Sequence, residues 1–134
     1  MKKKENQFSI WSRLRSFKNA FTGLGDMLSN QRNAWVHAIM TILALSLSWW
    51  LDIDRNGLAL IFIAIVLVWV AEAFNTVLEI MADVVASGSY SNLIRRAKDI
   101  AAAGVLVTAL GAVGIGLIVF GPRLYERIAP LFQK

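Results

Sequence analysis

Glu72, Asn75, Glu79 and Asp83 recur at i, i+3, i+7 and i+11. At about 100° per residue, this spacing lines all four along one face of an α-helix over roughly three turns. Carboxylates in such a row can accept a proton or offer oxygen ligands to a hard cation. Around them stand Val70, Ala73, Phe74, Val77, Leu78, Ile80 and Met81. An ionised carboxylate on an apolar, membrane-type helix costs about 2.5–3.5 kcal/mol at mid-bilayer, so function or pairing must account for it. After a short loop come Arg95, Arg96, Lys98 and Asp99. Lys98 is suited to a phosphate, as a point charge, and Asp99 to a sugar or base. A purely structural reading pairs the stripe with Arg95, Arg96 or Lys98 to hold helices together, and headgroup anchoring explains Arg95 and Arg96 equally well. There is no Walker loop, GxGxxG, HExxH or Ser/His/Asp pattern. Any phosphoryl transfer must therefore use carboxylates and magnesium in place of a glycine-rich cradle.

The elements that position these residues are apolar and long. Of 134 residues, 57% are hydrophobic and none is cysteine, which removes a disulfide framework and argues against a zinc site. The apolar residues fall in blocks of membrane-spanning length. This predicts an all-α membrane protein formed as one domain over 1–134, with spans at 34–51, 58–84 and 96–120. The first block is diluted by His37, Ser46 and Ser48. Ahead of them, Ile10, Leu14, Phe17, Phe21, Leu24 and Leu28 share one arc, predicting an amphipathic helix over 8–30 that lies in the headgroup plane. Packing of that helix on the spans is the plainer alternative. Arg13 and Arg15 on this helix, with Arg32 and His37 after it, are candidate headgroup or phosphate contacts, although a lone interfacial histidine is more often structural.

Asn30–Asn33 reads as a polar hinge, Asp52–Gly57 as a tight turn and 87–92 as a second loop. Gly121-Pro122 is expected to stop the last helix, leaving 121–134 as a tail. Gly104, Thr108, Ala112 and Gly116 form a small-residue ridge suited to close helix packing. The basic start Met1–Lys4 lacks a following apolar core, so the N-terminus is expected to be retained. The net charge of +5 points, with this apolar content, to anionic lipid rather than nucleic acid. Residues 1–32 carry seven Lys or Arg, and Arg95, Arg96 and Lys98 flank the second loop. The positive-inside rule then puts the N-terminus and the acidic stripe in the cytoplasm and the C-terminus outside.

Glu72-Ala-Phe-Asn75-Thr-Val-Leu-Glu79-Ile-Met-Ala-Asp83, with Ala97-Lys98-Asp99 after the loop, resembles the signature of the small prokaryotic diacylglycerol kinase family, which includes undecaprenol kinases. The resemblance covers residues 10–124. It implies a homotrimer in the bacterial inner membrane, with three membrane helices and one surface helix per chain and active sites shared between subunits. It also implies direct transfer of the ATP γ-phosphate to a lipid hydroxyl with Mg2+. By position, Glu72 would be the general base and Glu79 a metal ligand that also serves the nucleotide site. Asn75, Lys98 and Asp99 would be nucleotide or active-site polar contacts. Gln31 stands where the family often has a second metal-binding glutamate, and Ser89 and Ser91 stand where it often has an acid and a histidine. Arg32-Asn33 with His37 looks closer to the undecaprenol-kinase branch. Two other readings use the same residues: a non-enzymatic oligomer, ion-conducting or structural, and an inactive relative of the kinases.

Overall fold

The computed structural model describes residues 10–86 and 91–132. It comprises α1 (Ile10–Asn30), α2 (Arg32–Trp50), α3 (Arg55–Ala86) and α4 (Asn92–Ile128), followed by a 3-10 turn at Ala129–Leu131. The described residues are helical throughout apart from short connections, as an all-α chain requires. Phe8, the start Met1–Lys4 and the loop residue Ser89 lie outside the described residues.

The expected four-residue hinge narrows to Gln31. Its φ of −110° and ψ of 117° break the helix, while its N–H still donates to the Met27 carbonyl at 2.9 Å. Arg32 and Asn33 already belong to α2. At the next corner, the Asp52 and Ile53 N–H groups return to the Trp49 and Ser48 carbonyls, and Asp52 has a φ of 51°. This is a Schellman closure with aspartate in the left-handed position that glycine usually fills. Asp54 then caps α3, its Oδ1 accepting from the Gly57 N–H at 3.3 Å. Gly57 lets this corner approach α4. A Cβ there would sit 2.7 Å from Ile53 Cγ2 and 3.1 Å from Val119 Cγ1.

α3 and α4 form the main antiparallel hairpin, and α2 packs chiefly on α3. Trp69 Nε1 of α3 donates to Thr41 Oγ1 of α2 at 3.0 Å. Ser91 caps α4, its hydroxyl accepting from the Leu93 and Ile94 N–H groups. That is a local structural use for one of the two loop serines.

α4 does not stop at Gly121-Pro122 but runs through Pro122 to Ile128. Proline removes one N–H and crowds the preceding turn, yet long apolar helices accommodate it. A preceding glycine, lacking Cβ, relieves part of the clash. The expected tail is therefore largely helix. The small-residue ridge is not an intrachain seam at its start, because nothing lies within 4 Å of a Cβ built on Gly104.

α3 and α4 are long and apolar enough to cross a membrane. α2, 19 residues long and diluted by His37, Thr41, Ser46 and Ser48, does not meet that standard. The apolar arc of α1 does not pack inward: Ile10, Leu14, Phe17 and Phe21 are exposed, and Met27 is the buried residue of that helix.

Candidate active site

The inner face of α3 is a single line. Gly57, Ile61, Ala64, Val68, Glu72 and Asn75 are buried at intervals of three or four residues, as on a helix facing a core, and Thr76 beside Asn75 is buried too. Apolar side chains occupy its first half and polar ones its second. The acidic stripe therefore continues the core line and then leaves it. Glu72 is 1% exposed, Glu79 is half-buried, and the Asp83 side chain is 71% exposed. One helical face thus carries a sealed carboxylate, an intermediate one and an open one.

Around the sealed end, several polar atoms lack partners. His37 Nε2, Glu72 Oε2, Asn75 Oδ1 and Thr76 Oγ1 are buried without a hydrogen bond. Buried polar atoms are almost always satisfied, since each unmet one costs about 1–3 kcal/mol. They do not face one space: His37 and Asn75 line the smaller of two cavities, Thr76 lines the larger, and Glu72 lines neither. His37 Nε2 lies 3.6 Å from Glu72 Oε2. Asn75 Nδ2 donates to Glu79 Oε1 at 3.3 Å, which holds the Glu79 carboxylate while leaving the Asn75 carbonyl oxygen available. A cavity of about 280 Å³ opens here, lined by Asn33, His37, Asn75 and Glu79 on its polar side and by Ala102, Val105 and Ala109 of α4 opposite.

A second cavity, of about 520 Å³, separates α1 from α3. Gln31 lines it together with Asp26, Met27, Thr76 and Ile80. The two residues expected to share a metal, Gln31 and Glu79, thus border different cavities. No group of three metal-ligating acids, histidines or cysteines occurs among the described residues. Asn75 and Glu79 border one cavity and are joined by a hydrogen bond, and their oxygen atoms are of the kind a hard cation accepts.

Lys98 is engaged. Its ammonium lies 2.8 Å from Asp83 Oδ1, so of the ion pairs open to the stripe, this one forms. Asp99 is exposed on α4, and Arg13, Arg15 and Arg32 are exposed and line neither cavity.

The histidine–glutamate pair was not anticipated, although the chain contains a signal for it. In an antiparallel helix pair, residues equidistant from the turn meet. His37–Glu72 and Thr41–Trp69 are both centred on Asp54–Arg55, the corner that the Asp/Gly turn signal already marks. Folding the chain at that corner sets the lone histidine beside the first acid of the stripe. Lys98–Asp83 is centred in the same way on the second loop. Thr76 gave no comparable signal, because threonine is unremarked on an apolar helix.

Comparison with known proteins shows the family to which the chain belongs. The family model for prokaryotic diacylglycerol kinase matches residues 18–120. A diacylglycerol kinase of Synechocystis is 32% identical over 81% of this chain and 62% of its own length. A diacylglycerol kinase of Escherichia coli is 32% identical over 61% of this chain and 72% of its own length. An undecaprenol kinase of Bacillus subtilis is 27% identical over 92% of this chain and the whole of its own length. With the matched segment running from α1 through most of α4 and containing every residue of the candidate site, the chain belongs to the prokaryotic diacylglycerol kinase family.

Proposed function

We propose that this protein transfers the γ-phosphate of ATP to the hydroxyl group of a membrane lipid, diacylglycerol or undecaprenol. The observation that carries the reading is the Glu72 carboxylate, sealed from solvent with one oxygen that makes no hydrogen bond, on the helical face that also presents Asn75 and Glu79. A primary hydroxyl attacking phosphorus needs its proton accepted, and Glu72 is the general base. Glu79, held by Asn75, and the Asn75 carbonyl are the oxygen ligands for Mg2+. The cation supplies neutralisation of charge on the phosphate oxygens. Gln31, on the other cavity, has no part in that set within one chain. Lys98 exchanges Asp83 for a nucleotide phosphate, and Asp99 beside it contacts the sugar or base.

The setting is a bilayer. We assign α2 as a third span beside α3 and α4, since 19 residues at 1.5 Å each extend about 28 Å, close to the hydrocarbon thickness. With Trp49 and Trp50 anchoring the outer interface, Glu72 stands about 27 Å from the Asp54 corner along α3. That is the inner edge of the hydrocarbon, where a lipid headgroup and a cytosolic nucleotide can both arrive. The exposed apolar arc of α1 lies in the headgroup layer with Arg13, Arg15 and Arg32 toward phosphates. The unburied outer face of α4 is where further copies pack, in a homotrimer. Ion conduction fits less well: from Leu58 to Ala71, α3 has no charged or amide residue, so its polar stripe does not extend across the hydrocarbon.

The test is an assay of the purified protein with radiolabelled ATP, offered diacylglycerol and undecaprenol side by side. Magnesium-dependent transfer of label into one lipid is expected. Failure to label either lipid, in protein that remains folded, overturns the reading.

A further inference from the structure

A base that is 1% exposed must be reset after every turnover. If Glu72 takes the proton of the acceptor hydroxyl, that proton remains on a carboxyl group with no direct route to water. Among the described residues, the titratable groups recorded on the faces that meet at this point are His37 on α2 and Glu72 and Glu79 on α3. The facing residues of α4, Ala102, Val105, Leu106 and Ala109, carry none. Glu79 is held by Asn75 and faces the cavity. His37 differs, because it touches both compartments. Its Nε2 lies 3.6 Å from Glu72 Oε2, and both atoms are buried and make no hydrogen bond. Its ring also lines the cavity of about 280 Å³, where Asn33 is exposed. A small rotamer adjustment closes 3.6 Å to hydrogen-bond distance.

We propose that His37 is the proton relay of Glu72, carrying the substrate proton from the sealed carboxyl group to water in the cavity. The inference rests on the reading of Glu72 as base. As the lipid oxygen bonds to Pγ and the bond from Pγ to the ADP oxygen breaks, the hydroxyl proton passes to Glu72. Neutral His37 then accepts it on Nε2, which restores the carboxylate and leaves an imidazolium paired with it. The imidazolium loses a proton to cavity water, so each cycle releases one proton and leaves both side chains as they began. Imidazole suits this task because it exchanges protons readily near neutral pH. His37 touches neither phosphate nor lipid in this scheme. It acts through Glu72.

The experiment compares His37→Ala, His37→Gln and Glu72→Gln, each assayed at saturating ATP and lipid with and without added imidazole. Melting and elution profiles report whether each variant is folded. Removing the relay is expected to lower kcat about tenfold or more, with KM for lipid and ATP little changed. Free imidazole, which the vacated ring space and adjoining cavity admit, is expected to restore much of the His37→Ala loss. It should restore none of the Glu72→Gln loss. Wild-type kcat in either folded His37 variant overturns the relay, as does a His37→Ala loss that imidazole leaves untouched. If His37→Ala does not fold, the volume-conserving His37→Gln decides by its kcat alone. An active Glu72→Gln would instead sink the base assignment underneath, an outcome distinct from failure of His37.

Discussion

At the corner between α2 and α3, several polar groups are met within the chain. Ser48 Oγ donates to the Ala44 carbonyl at 2.8 Å, Asp54 caps α3, and Arg127 reaches both Asp52 and the Trp50 carbonyl. About 27 Å along α3, His37, Glu72, Asn75 and Thr76 keep buried atoms without partners. Both regions are built from the same helices, and both combine buried small or apolar residues with polar ones. They differ in whether polarity is resolved. Where it is resolved locally, polar groups shape the backbone. Where it is withheld from solvent and left open, the cost of about 1–3 kcal/mol per unmet group has to be offset by something that binds. A site can thus be distinguished from a corner by its unsatisfied atoms better than by its charge.

The sharpest way to break that comparison is Glu72→Gln. The amide matches the carboxylate in size and keeps the helix, but it cannot accept the hydroxyl proton. Lipid phosphorylation is expected to fall by about two to four orders of magnitude, the usual contribution of a general base. Thermal stability should be unchanged or slightly raised, because a neutral amide is less costly to bury than a carboxylate. A variant that phosphorylates lipid at the wild-type rate would reduce the sealed site to another structural contact.

The opposite effect is expected at the corner. Gly57→Val places methyl groups where even a Cβ would stand 2.7 Å from Ile53 Cγ2 and 3.1 Å from Val119 Cγ1. Neither neighbour is the loose end of a long side chain, so α3 and α4 must part. Overpacking of this kind costs about 1–3 kcal/mol, read as a lower melting temperature in detergent. The kcat of the molecules that remain folded should be close to wild type. A large fall in kcat with unchanged melting would show that the two ends are coupled.

How much of this was legible differs between the regions for a physical reason. Helical phase depends on local spacing alone, so the stripe from Glu72 to Asp83 could be drawn from residue numbers. The burial gradient along it could not, because which carboxylate is sealed depends on what α2 and α4 place opposite. The sequence offers Lys98 both as a nucleotide contact and as a partner for the stripe, and the α3–α4 register is what sets it 2.8 Å from Asp83 Oδ1. The resemblance pairs Gln31 with Glu79, whereas within one chain Gln31 lines the cavity between α1 and α3. Gly121-Pro122 reads as the end of α4 because Gly-Pro is a stop signal in water. Here the helix continues to Ile128, which brings Arg127 to the corner.

That arginine gives the smallest effect. Arg127 Nη1 stands 3.9 Å from Asp52 Oδ2, its Nη2 donates to the Trp50 carbonyl at 3.2 Å, and its guanidinium sits 5.5 Å from the centroid of the Trp50 ring. Three contacts suggest a strong clasp, but the side chains of Arg127 and Asp52 are 51% and 86% exposed. Water screens the ion pair, and surface pairs of this kind are worth about 0–1 kcal/mol. A cation–π contact at an exposed site adds about 0.5–1 kcal/mol at most, and the backbone carbonyl can turn to water when the arginine is removed. Arg127→Ala is therefore expected to cost no more than about 2 kcal/mol, to lower the melting temperature by a few degrees, and to leave both kcat and its response to imidazole unchanged. If instead this substitution abolished lipid phosphorylation in folded protein, a polar group with all its partners inside the chain would be serving the reaction. The presence or absence of partners would then no longer separate the corner from the site.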